Sequence, residues 1–130
     1  IVSHIMRAII LTFGLLSTVS CSKTSGEKDT ESPVVTLATP ANNQILNGSQ
    51  AILISGSVSD NRYIKQIHIE VANFHTGAEY RHIHIHPASA SAAFNETFTV
   101  EPGITYRIRA IADDASANSS MKEVTIIVNN

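Results

Sequence analysis

Apolar and polar residues alternate along most of the chain after Pro33, in short runs separated by turn residues. This period-two pattern predicts β-strands with one buried face, and no helical stripe of useful length accompanies it. We predict seven strands, at residues 34–37, 52–58, 67–71, 82–86, 94–100, 106–112 and 124–128. Seven short strands with turns between them indicate an all-β fold, a seven-stranded antiparallel β-sandwich.

Three stretches of this region carry a family resemblance. Residues 102–110, Pro-Gly-Ile-Thr-Tyr-Arg-Ile-Arg-Ala, resemble the turn and strand that precede the last strand of fibronectin type III and bacterial Ig-like domains. Residues 112–119 resemble their Asp…Asn loop, and residues 55–61 resemble their second strand and the loop after it. The resemblance implies one Ig-like sandwich over residues 33–130, in which the Tyr106 hydroxyl forms a tyrosine corner with the preceding main chain. The absence of Trp favours the bacterial Ig-like group.

The first twenty residues have a different pattern. From Met6, where we expect translation to begin, Arg7 is followed by an apolar run at 8–16 and by small or slender residues at 17–20. This order is that of a secretory signal peptide, and the run is too short to span a bilayer core of about 30 Å. Residues 1–20 are therefore predicted to be a signal peptide.

Cys21 directly follows this segment and is the only cysteine of the chain. The sequence Val19-Ser20-Cys21 resembles the lipobox of bacterial, Bacteroidota-like lipoproteins, although Thr18 departs from the Leu that such signals often carry. The resemblance implies lipid attachment at Cys21 and anchoring in the cell envelope, at the outer membrane. The alternative is a buried helix followed by an ordinary thiol. Residues 21–32 contain no apolar residue after the cysteine, so we predict a lipidated, flexible tether.

Composition narrows the function classes. The 130-residue chain has a net charge of −2 and 5% aromatic residues, which predicts no nucleic-acid partner. The lack of cysteine after Cys21 excludes a disulfide or a thiolate metal site in the folded domain. Because the sequence shows no glycine-rich phosphate loop and no nucleophile elbow, we predict that the chain is not an enzyme but a binding or structural module.

Histidines concentrate in one predicted hairpin. Strand alternation places His82, His84 and His86 on one face, opposite the isoleucines between them. Since the isoleucines of both strands must face the core, His68 and Glu70 on the preceding strand share the histidine face. One allowed register sets His68 across from His84 and Glu70 across from His82, and a shift by two residues gives another.

Imidazole and carboxylate ligands suit Zn²⁺, Cu²⁺ or Ni²⁺, and a His-x-His pair on a strand can seat two nitrogens on one ion. His68, His75 or Glu70 could supply the third ligand, so we predict a Zn or Cu site on this hairpin. Two alternatives stay open: a polar solvent face, or a pH-responsive contact, because clustered imidazoles titrate near neutrality. The corresponding alternative function is that of a structural or protein-interaction module, which binds no metal and contacts a protein partner of the cell envelope.

A second, oxygen-rich group follows two of the strands. Asp60 comes after the second predicted strand, and Asp113, Asp114 and Asn118 come after the sixth. These side chains are expected at the same end of the sandwich, where oxygen ligands could hold Ca²⁺. Alternatively they close turns through bonds to the main chain.

Substitution of the lipidation residue tests the anchoring prediction. We expect the unchanged protein in the membrane fraction and Cys21→Ser in the soluble fraction, because lipid chains on the cysteine supply the membrane affinity. Fractionation and immunoblotting measure this, with Thr24→Ala as the matched control that stays in the membrane. An unchanged distribution of Cys21→Ser would contradict lipid attachment.

Overall fold

The computed structural model describes residues 26–130, which fold into seven β-strands. Within this range no helix is long and apolar enough to cross a membrane. The strands are β1 (Val34–Thr39), β2 (Gln44–Asn47), β3 (Gln50–Asn73), β4 (Glu79–Ile85), β5 (Ser89–Val100), β6 (Thr105–Asp114) and β7 (Ser119–Asn129). The prediction of an all-β fold is confirmed.

The strands form one mixed, curled sheet in the order β1-β3-β6-β7-β2, with β4 and β5 also paired to β3. β2 pairs with β7 in parallel, whereas the other pairs are antiparallel. The expectation of a purely antiparallel arrangement is therefore wrong at β2. This four-residue strand escapes prediction because it is short and largely exposed, and its partner lies far along the chain.

The 24-residue β3 produces the curl. Its residues 50–59 pair with β5, and the part from Ser55 to Ser59 also pairs with β1. Its residues 64–73 pair with β6, and within them β4 pairs on the other edge. The sequence predicts two strands separated by a turn at Asp60, but the chain stays extended there. The pairing register shifts between Ser59 and Ile64, so one strand serves both halves of the sheet.

The core is the apolar face that the alternation predicts. Its most deeply buried side chains come from β3, β5, β6 and β7: Ile54, Val58, Ile64, Ile67, Ile69, Val71, Val100, Tyr106, Ile108 and Ile126. Burying an aliphatic side chain of this size stabilises a fold by about 1.5–3 kcal/mol. Gly56 interrupts the apolar series because a Cβ there would lie 2.0 Å from the Thr36 carbonyl oxygen. Residues of both halves of β3 thus contribute to one continuous core.

Tyr106, at the start of β6, connects this core to the preceding turn. Its side chain is 2% exposed and its ring lies 5.4 Å from that of Tyr80 and 5.5 Å from that of Phe98. The Tyr106 hydroxyl accepts a hydrogen bond from the main-chain N–H of Glu101 at 2.9 Å. The backward bond expected of a tyrosine corner is therefore present.

The residues just before β1 lie against the sheet. Asp29 is 4% exposed, and its carboxylate accepts a hydrogen bond from Asn61 Nδ2 at 3.0 Å. Its carbonyl oxygen accepts another from Asn118 Nδ2, and Arg62 Nη1 donates to the carbonyl oxygen of Glu27. Polar contacts of Glu27 and Asp29 thus hold this part of the predicted tether against the sheet.

Removal of the Tyr106 hydroxyl should lower the free energy of unfolding. Tyr106→Phe removes the hydrogen bond that the Glu101 N–H donates to the Tyr106 hydroxyl, at a cost of about 0.5–1.5 kcal/mol. Urea denaturation measures the change. The control is Tyr63→Phe, whose side chain is 42% exposed, and it should stay within about 0.5 kcal/mol of the unchanged protein. Equal losses in the two variants would argue against a stabilising Tyr106 bond.

Candidate metal centre

The register of β3 against β4 is one of the two that the sequence allows. His68 pairs with His84, and Glu70 pairs with His82. The intervening isoleucines pair with each other, Ile67 with Ile85 and Ile69 with Ile83. The isoleucines of β3 are fully buried, so the histidines project from the opposite, outer face.

Three of these histidines converge. His68, His82 and His84 each place a ring nitrogen within 4.8 Å of the other two. The closest pair is Nδ1 of His68 and Nε2 of His82, at 3.1 Å, and the His82 and His84 rings stack with centroids 4.4 Å apart. Two nitrogens bound to one tetrahedral Zn²⁺ at 2.0–2.1 Å would be about 3.3 Å apart. The separation between His68 and His82 is close to this value, and a ring nitrogen of His84 lies within 4.8 Å of both residues' ligand nitrogens.

Two further side chains orient the imidazoles. His68 Nε2 lies 3.5 Å from Asp113 Oδ2, which can accept its proton and leave the Nδ1 lone pair toward the cluster. Gln66 contacts His84 Nδ1 through its amide. When the amide oxygen faces the ring it accepts the Nδ1 proton, and the His84 Nε2 lone pair is free for a metal. Such outer partners are typical of histidines that bind metals.

The environment of His68 favours its neutral form. Its side chain is 20% exposed, and burial lowers the pKa of His68 below the ordinary value of 6.5. The neighbouring His84 and His82 lower this pKa further, while Asp113 and Glu70 oppose the shift. Neutral imidazole is the form that binds a metal ion, so a lowered pKa makes His68 a better ligand near neutral pH.

Two carboxylates adjoin His82 and form a second candidate group. Glu70 Oε1 lies 3.8 Å from His82 Nε2, and Glu79 Oε1 lies 3.5 Å from His82 Nδ1. Glu70 was predicted from strand parity, but Glu79 was not. An irregularity between Val71 and Ala72 shifts the register opposite Glu79 and brings its carboxylate to His82. Simple alternation would have placed Glu79 on the other face.

The two remaining candidate histidines lie outside the cluster. His86 is exposed beyond the end of β4. His75 lies in the turn between β3 and β4, where its ring contacts that of Phe74 edge-on at 5.2 Å. The structure thus brings together His68, His82 and His84, with Glu70 beside them.

The oxygen-rich group contains different residues in the structure from those that the sequence predicts. Asp60 and Asp114 do lie together, but their third carboxylate is that of Asp29, and one oxygen from each lies within 4.8 Å of the others. Asp113 faces His68 instead, because neighbouring residues of β6 point to opposite faces. No sequence signal marked Asp29, since its position depends on contacts with residues far along the chain.

Asn118 acts in this group as a donor. Its Nδ2 donates to Asp114 Oδ2 at 2.6 Å and to the Asp29 carbonyl oxygen. Burial raises the pKa of the Asp114 carboxyl, but hydrogen bonds from the Asn118 side chain and from the main-chain N–H groups of Asn118 and Ser116 outweigh it and hold the pKa below 3.8. Asp114 therefore carries its negative charge at neutral pH.

Comparison with known proteins gives a fold relationship. No model of a protein family matches the sequence, and no curated protein matches it. Among solved structures, the superoxide reductase (neelaredoxin) from Ignicoccus hospitalis is similar, with a TM-score of 0.51 and 14% sequence identity. The match covers 75% of this chain and 80% of the reductase. At this identity the likeness concerns the fold alone.

This likeness corrects the expectation that the chain is not an enzyme. That expectation rested on the absence of a phosphate loop and a nucleophile elbow, neither of which a metal-dependent redox enzyme needs. The similar structure is that of an enzyme, so a fold of this kind is compatible with catalysis and the prediction that the chain is not an enzyme is wrong. Cys21 lies outside the described residues, and what the described part offers for chemistry is imidazole and carboxylate.

Proposed function

We propose that this protein is a transition-metal-binding β-domain whose centre is formed by His68, His82 and His84. The observation that carries the proposal is the convergence of three ring nitrogens on one outer face, with all separations within 4.8 Å. The isoleucine pairs beneath these residues fix the strands that present them, so the ligands are arranged before any ion arrives.

The donor set favours Zn²⁺ or Cu²⁺. Imidazole nitrogens suit both ions, and a neighbouring carboxylate is an accepted additional ligand for either. Glu70 is placed for that role, since its Oε1 is 3.8 Å from His82 Nε2. His82 and His84 are solvent-exposed, so a position on the ion remains accessible to water or a small ligand. An accessible position is a requirement of catalytic metal sites.

The proposal includes the location and the finer architecture. Lipid attachment at Cys21 would hold the domain at a bacterial cell envelope. The domain itself we interpret as an Ig-like sandwich whose halves are joined by the continuous β3. The Tyr106–Glu101 hydrogen bond and the single core shared by both halves support this interpretation.

Metal titration tests the centre. Purified, untagged protein freed of metal should bind about one Zn²⁺ or Cu²⁺ per chain, because one tetrahedral ion satisfies the three nitrogens. Asp113→Asn should weaken binding by about 10- to 100-fold, as loss of an outer-shell partner does. His68→Ala and His84→Ala should weaken it more, since each removes a ligand. Isothermal titration calorimetry and elemental analysis measure affinity and stoichiometry.

The two histidines outside the cluster provide the controls. His75→Ala and His86→Ala remove an imidazole from the same hairpin without touching the proposed ligands, so both should bind metal as the unchanged protein does. If these variants lost as much affinity as His84→Ala, metal binding would not depend specifically on the three proposed ligands. Protein that remained metal-free at micromolar Zn²⁺ and Cu²⁺ would end the proposal.

A second candidate function is redox catalysis at the same metal. Two observations favour it: the fold likeness to a superoxide reductase and the accessible position beside His82 and His84. A redox-active ion such as Cu²⁺ is required, because Zn²⁺ does not change its oxidation state. Copper-loaded protein should then accelerate superoxide decay in a stopped-flow assay, and His84→Ala treated with the same copper should not. Equal rates in the two samples would identify free copper as the catalyst.

A further inference from the structure

A second site of different chemistry lies where the segment before β1, the middle of β3 and the β6–β7 turn meet. Asp29, Asp60 and Asp114 come from these three places, and one carboxylate oxygen of each lies within 4.8 Å of the others. Asp29 is 4% exposed and Asp114 is 2% exposed. Two of the three acidic side chains are thus buried, and the third, that of Asp60, is partly exposed.

Hydrogen bonds fix the orientation of each carboxylate. Asp29 Oδ1 accepts from the main-chain N–H of Glu31, at 3.0 Å. Asp60 Oδ2 accepts from the N–H groups of Arg62 and Tyr63, at 2.9 and 2.7 Å. Asp114 Oδ1 accepts from two N–H groups of the turn that follows it. The carboxylates are therefore held in place by the main chain around them and are preorganised.

One oxygen of the group has no partner. Asp60 Oδ1 is buried and receives no hydrogen bond. Among residues 26–130, moreover, no lysine, arginine or histidine forms an ion pair with Asp29, Asp60 or Asp114. Buried carboxylates side by side repel one another, and an unpaired buried oxygen loses the hydration it had in the unfolded chain. A bound cation would remove both penalties.

We propose that Asp29, Asp60 and Asp114 form a Ca²⁺ site that clamps the segment before β1 onto the middle of β3 and the β6–β7 turn. Calcium takes oxygen ligands at 2.3–2.6 Å, so two ligands on opposite sides of the ion are separated by about 4.8 Å. One oxygen from each of the three carboxylates lies within 4.8 Å of the others, so all three are close enough to share one ion. The site offers no nitrogen or sulfur, which Zn²⁺ and Cu²⁺ favour.

This site is independent of the histidine centre. Asp113 and Asp114 are consecutive, but the first faces His68 on the outer surface and the second is buried beside Asp60. The two sites therefore take metals of different hardness from opposite faces of one strand. Binding of Ca²⁺ would order residues 26–32 against the domain.

Calcium titration of the full-length protein, freed of metal with a chelator, tests the proposal. We expect one Ca²⁺ per chain by calorimetry, with a dissociation constant of about 10⁻⁴–10⁻³ M or tighter, as in extracellular modules. Calcium should also raise the melting temperature and slow amide hydrogen exchange in residues 26–32. Magnesium at the same concentration should do less, because it demands a closer, octahedral ligand set.

Substitutions separate a cation site from a merely structural cluster. Asp60→Asn keeps an acceptor for the Arg62 and Tyr63 N–H groups but removes one negative charge. It should abolish the calcium response while leaving the calcium-free protein as stable as before, or more stable. Asp29→Asn, outside the strands, should abolish the response too and serves as a second variant should Asp60→Asn not fold. Glu31→Gln removes an exposed charge from the same segment and should retain the response.

The outcomes are distinguishable from those at the histidine centre. His84→Ala should keep its full calcium response, since it lies outside the acidic cluster. No calcium-dependent change in melting temperature or exchange at millimolar Ca²⁺ would overturn the proposal. A response retained in both Asp60→Asn and Asp29→Asn would overturn it as well. An equal response to Mg²⁺ would overturn the assignment to calcium.

Discussion

Burial of the isoleucines of β3 fixes which side chains of the β3–β4 hairpin face outward. Ile67 and Ile69 are fully buried, and a shift of the pairing by one residue would turn the isoleucines of β4 to solvent and its histidines to the core. Such a shift would remove Ile83 and Ile85 from their contacts with the core and would carry the cost of burying imidazoles. The convergence of His68, His82 and His84 is therefore a consequence of core packing.

The continuity of β3 places both candidate sites on one structural element. The strand presents Asp60 where it passes from one half of the sheet to the other, and it presents His68 further along. The site on the outer face is formed by histidine imidazoles, whereas the site at Asp60 has carboxylates as its only candidate ligands. The ligand atoms would determine which metal binds at each site, because imidazole favours transition metals and carboxylate favours calcium.

The likeness to a superoxide reductase concerns the fold and does not identify the chemistry of this protein. A sheet of this kind can carry many functions, and the activity depends on the side chains placed on it. In this chain the arrangement at the histidines depends on details such as the contact of Asp113 with His68 and the irregularity that brings Glu79 to His82. These details make the hairpin a candidate metal centre and show that the absence of familiar catalytic motifs did not exclude an enzyme.

The sequence by itself determined the location of the strands other than β2, their buried faces and the side of the hairpin that carries the histidines, because alternation with a period of two is a local property. It also predicted the Tyr106 bond through a family resemblance. Only the tertiary structure decided the parallel pairing of β2, the continuity of β3 and the entry of Asp29 into the acidic cluster. Asn118 and Asp29, for example, are 89 residues apart yet hydrogen-bonded. Contacts between such distant segments depend on how the whole sheet curls, and no local pattern encodes them.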